Sequence, residues 1–414
     1  MSERRVVITG LGCITALAET ADGLFDALCQ GKSGVSTIEN FDASAFPVLI
    51  GGEIKNFDPK AYIDARESKR MDRFTQLATA SAVVAVKDSG IDFSKEDLKR
   101  AGVIVGTGIG GIQEIEQQHI RLLEKGPSKV SPFCVPKLMA NAASGTISIL
   151  YGLCGPNFCV VTACASASHA IGEALYLIRN DRADIAITGG SEAALSPIGL
   201  SSFCALKSLS TRNDAPRQAS RPFDKDRDGF VMAEAGGIII LEEYERAKKR
   251  GAKIYAELLG YGATGDGYHI TAPLSDGSRA AETISIALKM AGISEEKIDY
   301  VNAHGTSTQL NDAAESLAIK NVFGKHAYKL AISSTKSCLG HSLGASGALE
   351  LIATVKSIEK SVVHPTINLD NIDEACDPKL NFVPNTAQPR KVDYALSNSF
   401  GFGGHNACLV VGKV

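Results

Sequence analysis

Two hydrophobic periods take turns along this chain. Short β-branched runs, "RVVITG" (5–10), "AGVIVGTG" (101–108), "FCVVTA" (158–163) and "ADIAITGG" (183–190), read as buried strands. The segments between them carry apolar residues at three- and four-residue spacing, the period of a helix with one buried face. After Cys164 this spacing picks out Ala167, Ala170, Ile171, Ala174, Leu175 and Ile178, leaving His169, Glu173 and Tyr176 on other faces. "GGIIILEEYERAKKRG" (236–251) predicts a strand and then a charged, solvated helix ending at Gly251, and a fresh strand opens near "KIYAELLGYG" (253–262). "DYVNAHG" and "LAISSTKS" then predict strands that each lead into a helix, and "ACLVVGKV" closes the chain. The pattern is α/β, and its second part weakly repeats its first. The expected halves are residues 1–252 and 253–414.

The best local echo sets "TACASASHAIGEALYLI" against "SCLGHSLGASGALELIATV", each an Ala/Gly/Ser-rich helix start. Small residues there let backbones pack closely; they also leave room for a ligand at the carboxyl ends of strands. Cys164 sits at such a strand-to-helix bend. A thiol at the first turn of a helix meets unpaired N–H groups and the positive end of the dipole, which favour thiolate, and Ala163, Ala165 and Ser166 leave space for a carbonyl carbon to reach sulfur. Of eight histidines, His304 in "NAHGTST" and His341 in "STKSCLGHSLGASG" lie in glycine-flanked, strand-end contexts suited to proton transfer or hydrogen-bond donation. Lys336, five residues before His341, is a cation among small and apolar neighbours, with Glu350 on the following helix as a candidate partner.

Composition narrows the compartment and the partners. The 414 residues are 44% hydrophobic, enough for a large core, and no apolar run is long enough to cross a bilayer. Neither a signal nor a transit peptide is visible at "MSERRVVITG", and ten cysteines scattered singly from Cys13 to Cys408 favour reduced thiols, so a cytoplasmic location is expected, with no zinc site. A net charge of 43 − 46 = −3 gives no reason to expect nucleic acid. Two motifs point elsewhere. "GTGIGG" (106–111) fits GxGxxG after a strand, which keeps a nicotinamide-dependent dehydrogenase in play, although no acidic residue ends a following strand at the required distance. "DKDRDG" (224–229) opens like an EF-hand loop, but its twelfth position is Ala235 and Glu234 falls one residue early. A papain-like hydrolase shares the Cys-to-His spacing, 304 − 164 = 140, without the local signature around the cysteine.

"VVTACASASHAIGEA", "NAHGTSTQLND", "STKSCLGHSLGASGALE" and "SNSFGFGGHNA", in this order, resemble the elongating β-ketoacyl-acyl carrier protein synthases, the type II enzymes above all. "LSTRND" and "SRPFDKDRDGFV" extend the resemblance over essentially the whole chain. It implies a thiolase-like duplicated fold of five αβαβα layers, a homodimer, acyl carrier protein as partner, no membrane, and chemistry without redox cofactor or catalytic metal. By position it makes Cys164 the acyl-accepting nucleophile, and His304 and His341 the residues that bind the malonyl thioester and promote decarboxylation. Lys336 orients the pair, with Glu350 beside it. The backbone N–H groups of Cys164 and Phe402 form the oxyanion hole, Thr306 and Thr308 hold the pantetheine arm, Phe402 gates the site, and Ile109 lines the far end of the acyl pocket. Phe133 reaches the partner subunit's pocket, and Lys69, Arg70 and Lys207 dock the acidic carrier. The Cys-His-His set separates the chain from initiating synthases, which pair Cys and His with Asn, and from degradative thiolases, which use a second cysteine. Noncatalytic chain-length subunits lack the nucleophile, and a polyketide-type ketosynthase of the same fold remains the alternative. Cys134, Ala233 and Ala235 depart from the family pattern and leave pocket length open.

Overall fold

A computed structural model describes residues 4–414. One mixed sheet of ten strands runs through it: β1 (Val6–Ile14), β2 (Ala101–Gly106), β3 (Asn157–Val160), β4 (Ile185–Glu192), β5 (Ala235–Glu243), β6 (Ala256–Gly265), β7 (Tyr300–Asn302), β8 (Ala331–Ser333), β9 (Tyr394–Gly401) and β10 (His405–Gly412). Their order is β8-β7-β9-β10-β6-β1-β5-β4-β2-β3. Reading outward from the middle, β1-β5-β4 is antiparallel and β4-β2-β3 parallel. On the other side β6-β10-β9 is antiparallel and β9-β7-β8 parallel. The two five-stranded halves therefore have one topology, and among the described residues their strands pair where Val7 and Ile8 of β1 meet Glu257 and Ala256 of β6.

Among the described residues, seven helices have ten residues or more: α1 (Arg73–Ser89), α2 (Ile112–Lys125), α3 (Ala142–Tyr151), α4 (Ser166–Arg179), α5 (Ser278–Ala291), α6 (Gln309–Phe323) and α7 (Ser346–Lys360). Helices α1 and α3 cover the outer face of the first half, α5 and α6 the outer face of the second, and α4 and α7 pack against each other between the halves. This gives the five αβαβα layers of the thiolase-like fold. Side chains on the strands divide by pleat. Ile238 and Ile240 of β5 join the outer core with Phe74 and Leu77 of α1, while Ile239 and Leu241 join the central core with Ile171 and Leu349. Burial on both faces is why these strands read as continuous apolar runs rather than alternating ones.

The face expected on α4 is the buried one, with Ala167, Ala170, Ile171, Ala174, Leu175 and Ile178 all inaccessible to solvent. Two expectations need correcting. The charged helix after β5 (Tyr244–Lys249) is not simply solvated, because Arg246 and Arg250 reach back to the buried carboxylate of Glu242. Strand β9 was not foreseen, because its Ser397, Asn398 and Ser399 are polar and yet buried. No described helix is long and apolar enough to cross a membrane.

Candidate active site

The loops at the carboxyl ends of β2, β3, β4, β7, β8 and β9 meet at a cavity of about 530 Å³. Strand β3 ends at Val160, and a single 3₁₀ turn, Ala163–Ala165, then turns the chain into α4. Ala163 has φ of +50°, a left-handed conformation that costs a non-glycine residue about 1–3 kcal/mol. The strained turn is pinned by Ser166 Oγ, which accepts from Thr162 N–H at 2.9 Å and shares its proton between the carbonyls of Ala163 and Thr107. The turn brings Cys164 to the cavity wall at the head of α4. Burial pushes the Cys164 thiol up to about 12, while Lys336 and the hydrogen-bonding N–H of Phe402 act downward. Loss of hydration thus opposes the thiolate that helix position favours, and it is the largest of these effects.

The second half builds the same device. Leu343, with φ of +46°, opens a 3₁₀ turn, Leu343–Ala345, that leads into α7, so Gly344 occupies the place that Cys164 has in the first half. The variant residue in the duplicated turn is thus the nucleophile candidate. His341, just ahead of the turn, lines the cavity, and its Nδ1 accepts the Leu343 N–H at 3.2 Å and faces Ser346 Oγ at 3.0 Å. His304 follows β7 and also lines the cavity; its Nδ1 faces Lys336 Nζ at 3.1 Å. Backbone N–H and ammonium groups can only donate, so Nδ1 is the acceptor in both rings and the remaining proton sits on Nε2. Both imidazoles are held well below the ordinary 6.5, by burial first and by the Lys336 charge second. The cavity therefore carries two neutral N–H donors on rings 5.5 Å apart at nearly a right angle.

Lys336 lies behind this pair rather than in the cavity wall. Its Nζ is ion-paired with Glu350 and donates to the His304 carbonyl at 2.7 Å. Glu350, expected among substrate-binding residues, is buried beneath Lys336 and does not line the cavity: it fixes a side chain that fixes His304. Burial raises the Glu350 carboxyl, and Lys336 opposes that. Thr306 and Thr308 line the cavity with their hydroxyls 2.8 Å apart, and Ile109, Phe402 and Lys207 line it as well. Phe133 does not; it is exposed, with the Arg70 guanidinium 5.3 Å from its ring centre. Lys69 and Arg70 stand on the exposed surface away from the cavity wall, and Arg70 is also paired with Glu67.

Several partners in the site carry no legible motif. Glu315 accepts the N–H groups of His304 and Gly305, each at 2.8 Å, and burial pushes it up to about 7. Phe400 packs edge-on against His304, 5.7 Å between ring centres. Both decoy motifs acquire structural explanations. In "GTGIGG" the N–H groups of Gly108 and Ile109 are already taken by the carboxylate of Glu192, leaving no cradle for a phosphate. In "DKDRDG" the Asp224 carboxylate accepts the N–H groups of Asp226, Asp370 and Asn371, and Arg227 holds the carbonyls of Thr308 and Gln309.

Family models describing the N-terminal and C-terminal domains of β-ketoacyl synthases match residues 3–247 and 255–370. The chain belongs to the β-ketoacyl synthase family, a class of condensing acyltransferases. Curated relatives are the 3-oxoacyl-[acyl-carrier-protein] synthase 2 of a Synechocystis strain, 50% identical over 413 residues and covering 100% of this chain and 99% of the relative, and that of Coxiella burnetii, 49% identical with both chains covered in full. Among solved structures, a type II polyketide ketosynthase in complex with its acyl-carrier protein is 36% identical with a TM-score of 0.93 over the whole of both chains. A β-ketoacyl synthase from Burkholderia phymatum is 36% identical with a TM-score of 0.92, covering 99% of this chain and all of that one.

The neutral histidines carry a pH prediction. A lowered histidine pKa keeps Nδ1 free to accept, and the ring uncharged, as pH falls through the ordinary histidine range. Because Glu315, on the His304 N–H, is itself pushed up to about 7, the check reads the rings directly: in NMR the imidazole carbons of His304 and His341 should show no titration shift between about pH 6 and 8. A full imidazolium titration of either ring in that window would contradict the assignment of two neutral donors.

Proposed function

We propose that this chain is a 3-oxoacyl-acyl carrier protein synthase that extends fatty-acyl chains by two carbons, with Cys164, His304 and His341 as its catalytic residues. The observation that supports this most is the pairing of one thiol at a strained helix start with two neutral imidazole donors in the same cavity. In the first step Cys164 sulfur attacks the carbonyl of an acyl-carrier thioester, its proton passes to the departing carrier thiolate, and the acyl group remains on the enzyme. The tetrahedral oxyanion is received by the backbone N–H groups of Cys164 and Phe402. In the second step malonyl-carrier thioester loses CO₂. The electron pair left behind is an enolate whose oxygen takes hydrogen bonds from Nε2 of His304 and His341. Its carbon attacks the acyl thioester, the C–S bond to Cys164 breaks, a 3-ketoacyl-carrier product leaves, and the Cys164 thiolate takes a proton from solvent water. Neutral donors suit this step, since a charged imidazolium would protonate the enolate rather than stabilise it.

Lys336 and Glu350 act as positioning residues for His304. Thr306 and Thr308 hold the pantetheine arm, Phe402 swings on Gly403 and Gly404 to admit the acyl chain, and Ile109 meets its far end. Residues 1–252 and 253–414 form the two halves of the enzyme, a division supported by the narrow β1–β6 seam. Support for a fatty-acid rather than a polyketide substrate is the higher identity to the curated synthases than to the solved polyketide enzyme. A synthase of this kind should separate its two steps by mutation. His304→Ala and His341→Ala should still acquire the acyl group on Cys164, by intact-protein mass, but condense at least about a hundredfold more slowly. Loss of acylation in both would contradict a role confined to the second step.

Lys207 at the cavity mouth, with Lys69 and Arg70, is the proposed carrier contact. Replacing all three by Ala should raise KM for acyl-carrier substrates about tenfold or more while sparing a small acyl thioester; an equal loss for both would refute the contact. Two copies of the chain should associate through the apolar side chains exposed on α2, on α3 and on the edge strand β3, including Leu123, Ile149 and Phe158, with Phe133 reaching into the second copy's pocket. Sedimentation should give a mass near twice the 43.6 kDa of one chain, and a 43.6 kDa species at micromolar concentration would contradict this.

A further inference from the structure

Three segments of the site converge on one buried carboxylate. Glu192, the last residue of β4, is inaccessible to solvent and uses both oxygens fully. Oε1 accepts the Thr107 hydroxyl at 2.9 Å and the Ile109 N–H at 3.2 Å. Oε2 accepts the Gly108 N–H at 2.6 Å and, from the other half of the molecule, the Gly344 N–H at 3.1 Å. The loop after β2 and the turn before α7 come so close there that a Cβ on Gly344 would lie 2.2 Å from Gly108 N. Thr107 also receives the Ser166 hydroxyl on its carbonyl, which ties the same loop to the turn that holds Cys164.

The arrangement has a direction. Ile109 and Gly108 line the cavity, and Leu343, next to Gly344, lines it too. The Leu343 N–H is the donor that fixes His341. An unbroken chain of hydrogen bonds and covalent bonds thus runs from Ile109 through Glu192 to Gly344, Leu343 and His341. The shared carboxylate makes the two loops one unit: a displacement of Ile109 that stretches its bond to Oε1 also acts on the bond between Oε2 and Gly344.

We infer that Glu192 is a positioning residue that couples the acyl-pocket loop to the turn presenting His341, so that the length of the acyl chain seated against Ile109 is registered at the condensation step. This rests on the proposed function, with the acyl group on Cys164 and its far end at Ile109. A long chain presses on Ile109 and needs the loop returned to one geometry for His341 to act, whereas a short chain does not reach it. Without the carboxylate, long chains lose more than short ones.

The test uses the full-length enzyme with hexanoyl- and dodecanoyl-carrier protein as acyl donors and malonyl-carrier protein as extender. Glu192→Gln keeps the shape but turns an amide NH₂ toward N–H donors. Condensation with the long chain should fall about tenfold more than with the short one, the size of one lost charge-assisted hydrogen bond. Acylation of Cys164 is read by intact mass with both donors, because the Ser166 bond to the Thr107 carbonyl links the same loop to the Cys164 turn; the coupling predicts that the long-to-short ratio changes at condensation by more than at acylation. Thr107→Val, which removes the hydroxyl that donates to Glu192 and accepts the Gly110 N–H, should move the long-to-short ratio in the same direction by about threefold and reports the coupling if the first variant fails to fold. An unchanged ratio in the folded variants, whatever the overall rate, would overturn the coupling and leave Glu192 a structural residue. A wild-type enzyme that neither acylates nor condenses would instead overturn the proposed function.

Discussion

Everything in the site depends on how closely the two central helices and their leading turns approach one another. A Cβ on Gly347 of α7 would lie 2.1 Å from Ser168 Oγ of α4, and one on Gly190 would lie 2.6 Å from the Gly344 carbonyl. Only residues without a side chain allow that separation, and only at that separation can a thiol from the first half share a cavity with imidazoles from the second. The alanines and serines around Cys164 follow from the same constraint: they pack the seam and leave the sulfur as the one reactive group on the turn. Strain at Ala163 and Leu343 is sustained because both turns are held from outside by side-chain and backbone hydrogen bonds.

The electrostatics of the site is set by burial more than by charge. Cys164 is raised and both histidines are lowered chiefly by loss of hydration, which favours the neutral form of all three. The groups that orient them lie one layer back: Lys336 is matched by Glu350, and the backbone N–H of His304 is held by Glu315. This division suits a reaction in which negative charge appears briefly at two oxygens and is then consumed. Fixed N–H dipoles already aimed at those positions need no reorganisation when it does.

Much of this was legible in the sequence. Strands such as β1, β2, β4 and β5 announced themselves because both faces are buried and nearly every side chain is apolar. Cys164, His304 and His341 stood out as special residues among small ones at the ends of such strands, and Lys336 as a cation that required a partner. What stayed hidden shares a cause. Strand β9 is built from serine and asparagine whose partners, Ser168 and Glu315, are distant in sequence. Nothing in the stretches around Glu192 and Glu315 singles them out, because the N–H groups that each receives belong to other elements. Periodicity reports which side of an element meets the core, but not the buried hydrogen bonds between elements. The helix-dipole argument for a thiolate at Cys164 omits an opposing effect for a related reason, since the degree of burial, which pushes the thiol up, is a tertiary property.

The central claim is that Cys164 carries the acyl group between two chemical steps. Intact-protein mass spectrometry of the wild type and of Cys164→Ala, after incubation with acyl-carrier protein and then with malonyl-carrier protein, tests it directly. The account predicts an acyl adduct on the wild type alone, cleared by the malonyl substrate as a 3-ketoacyl product extended by two carbons appears. An adduct that persists in Cys164→Ala, or none on the wild type across several chain lengths, would contradict it.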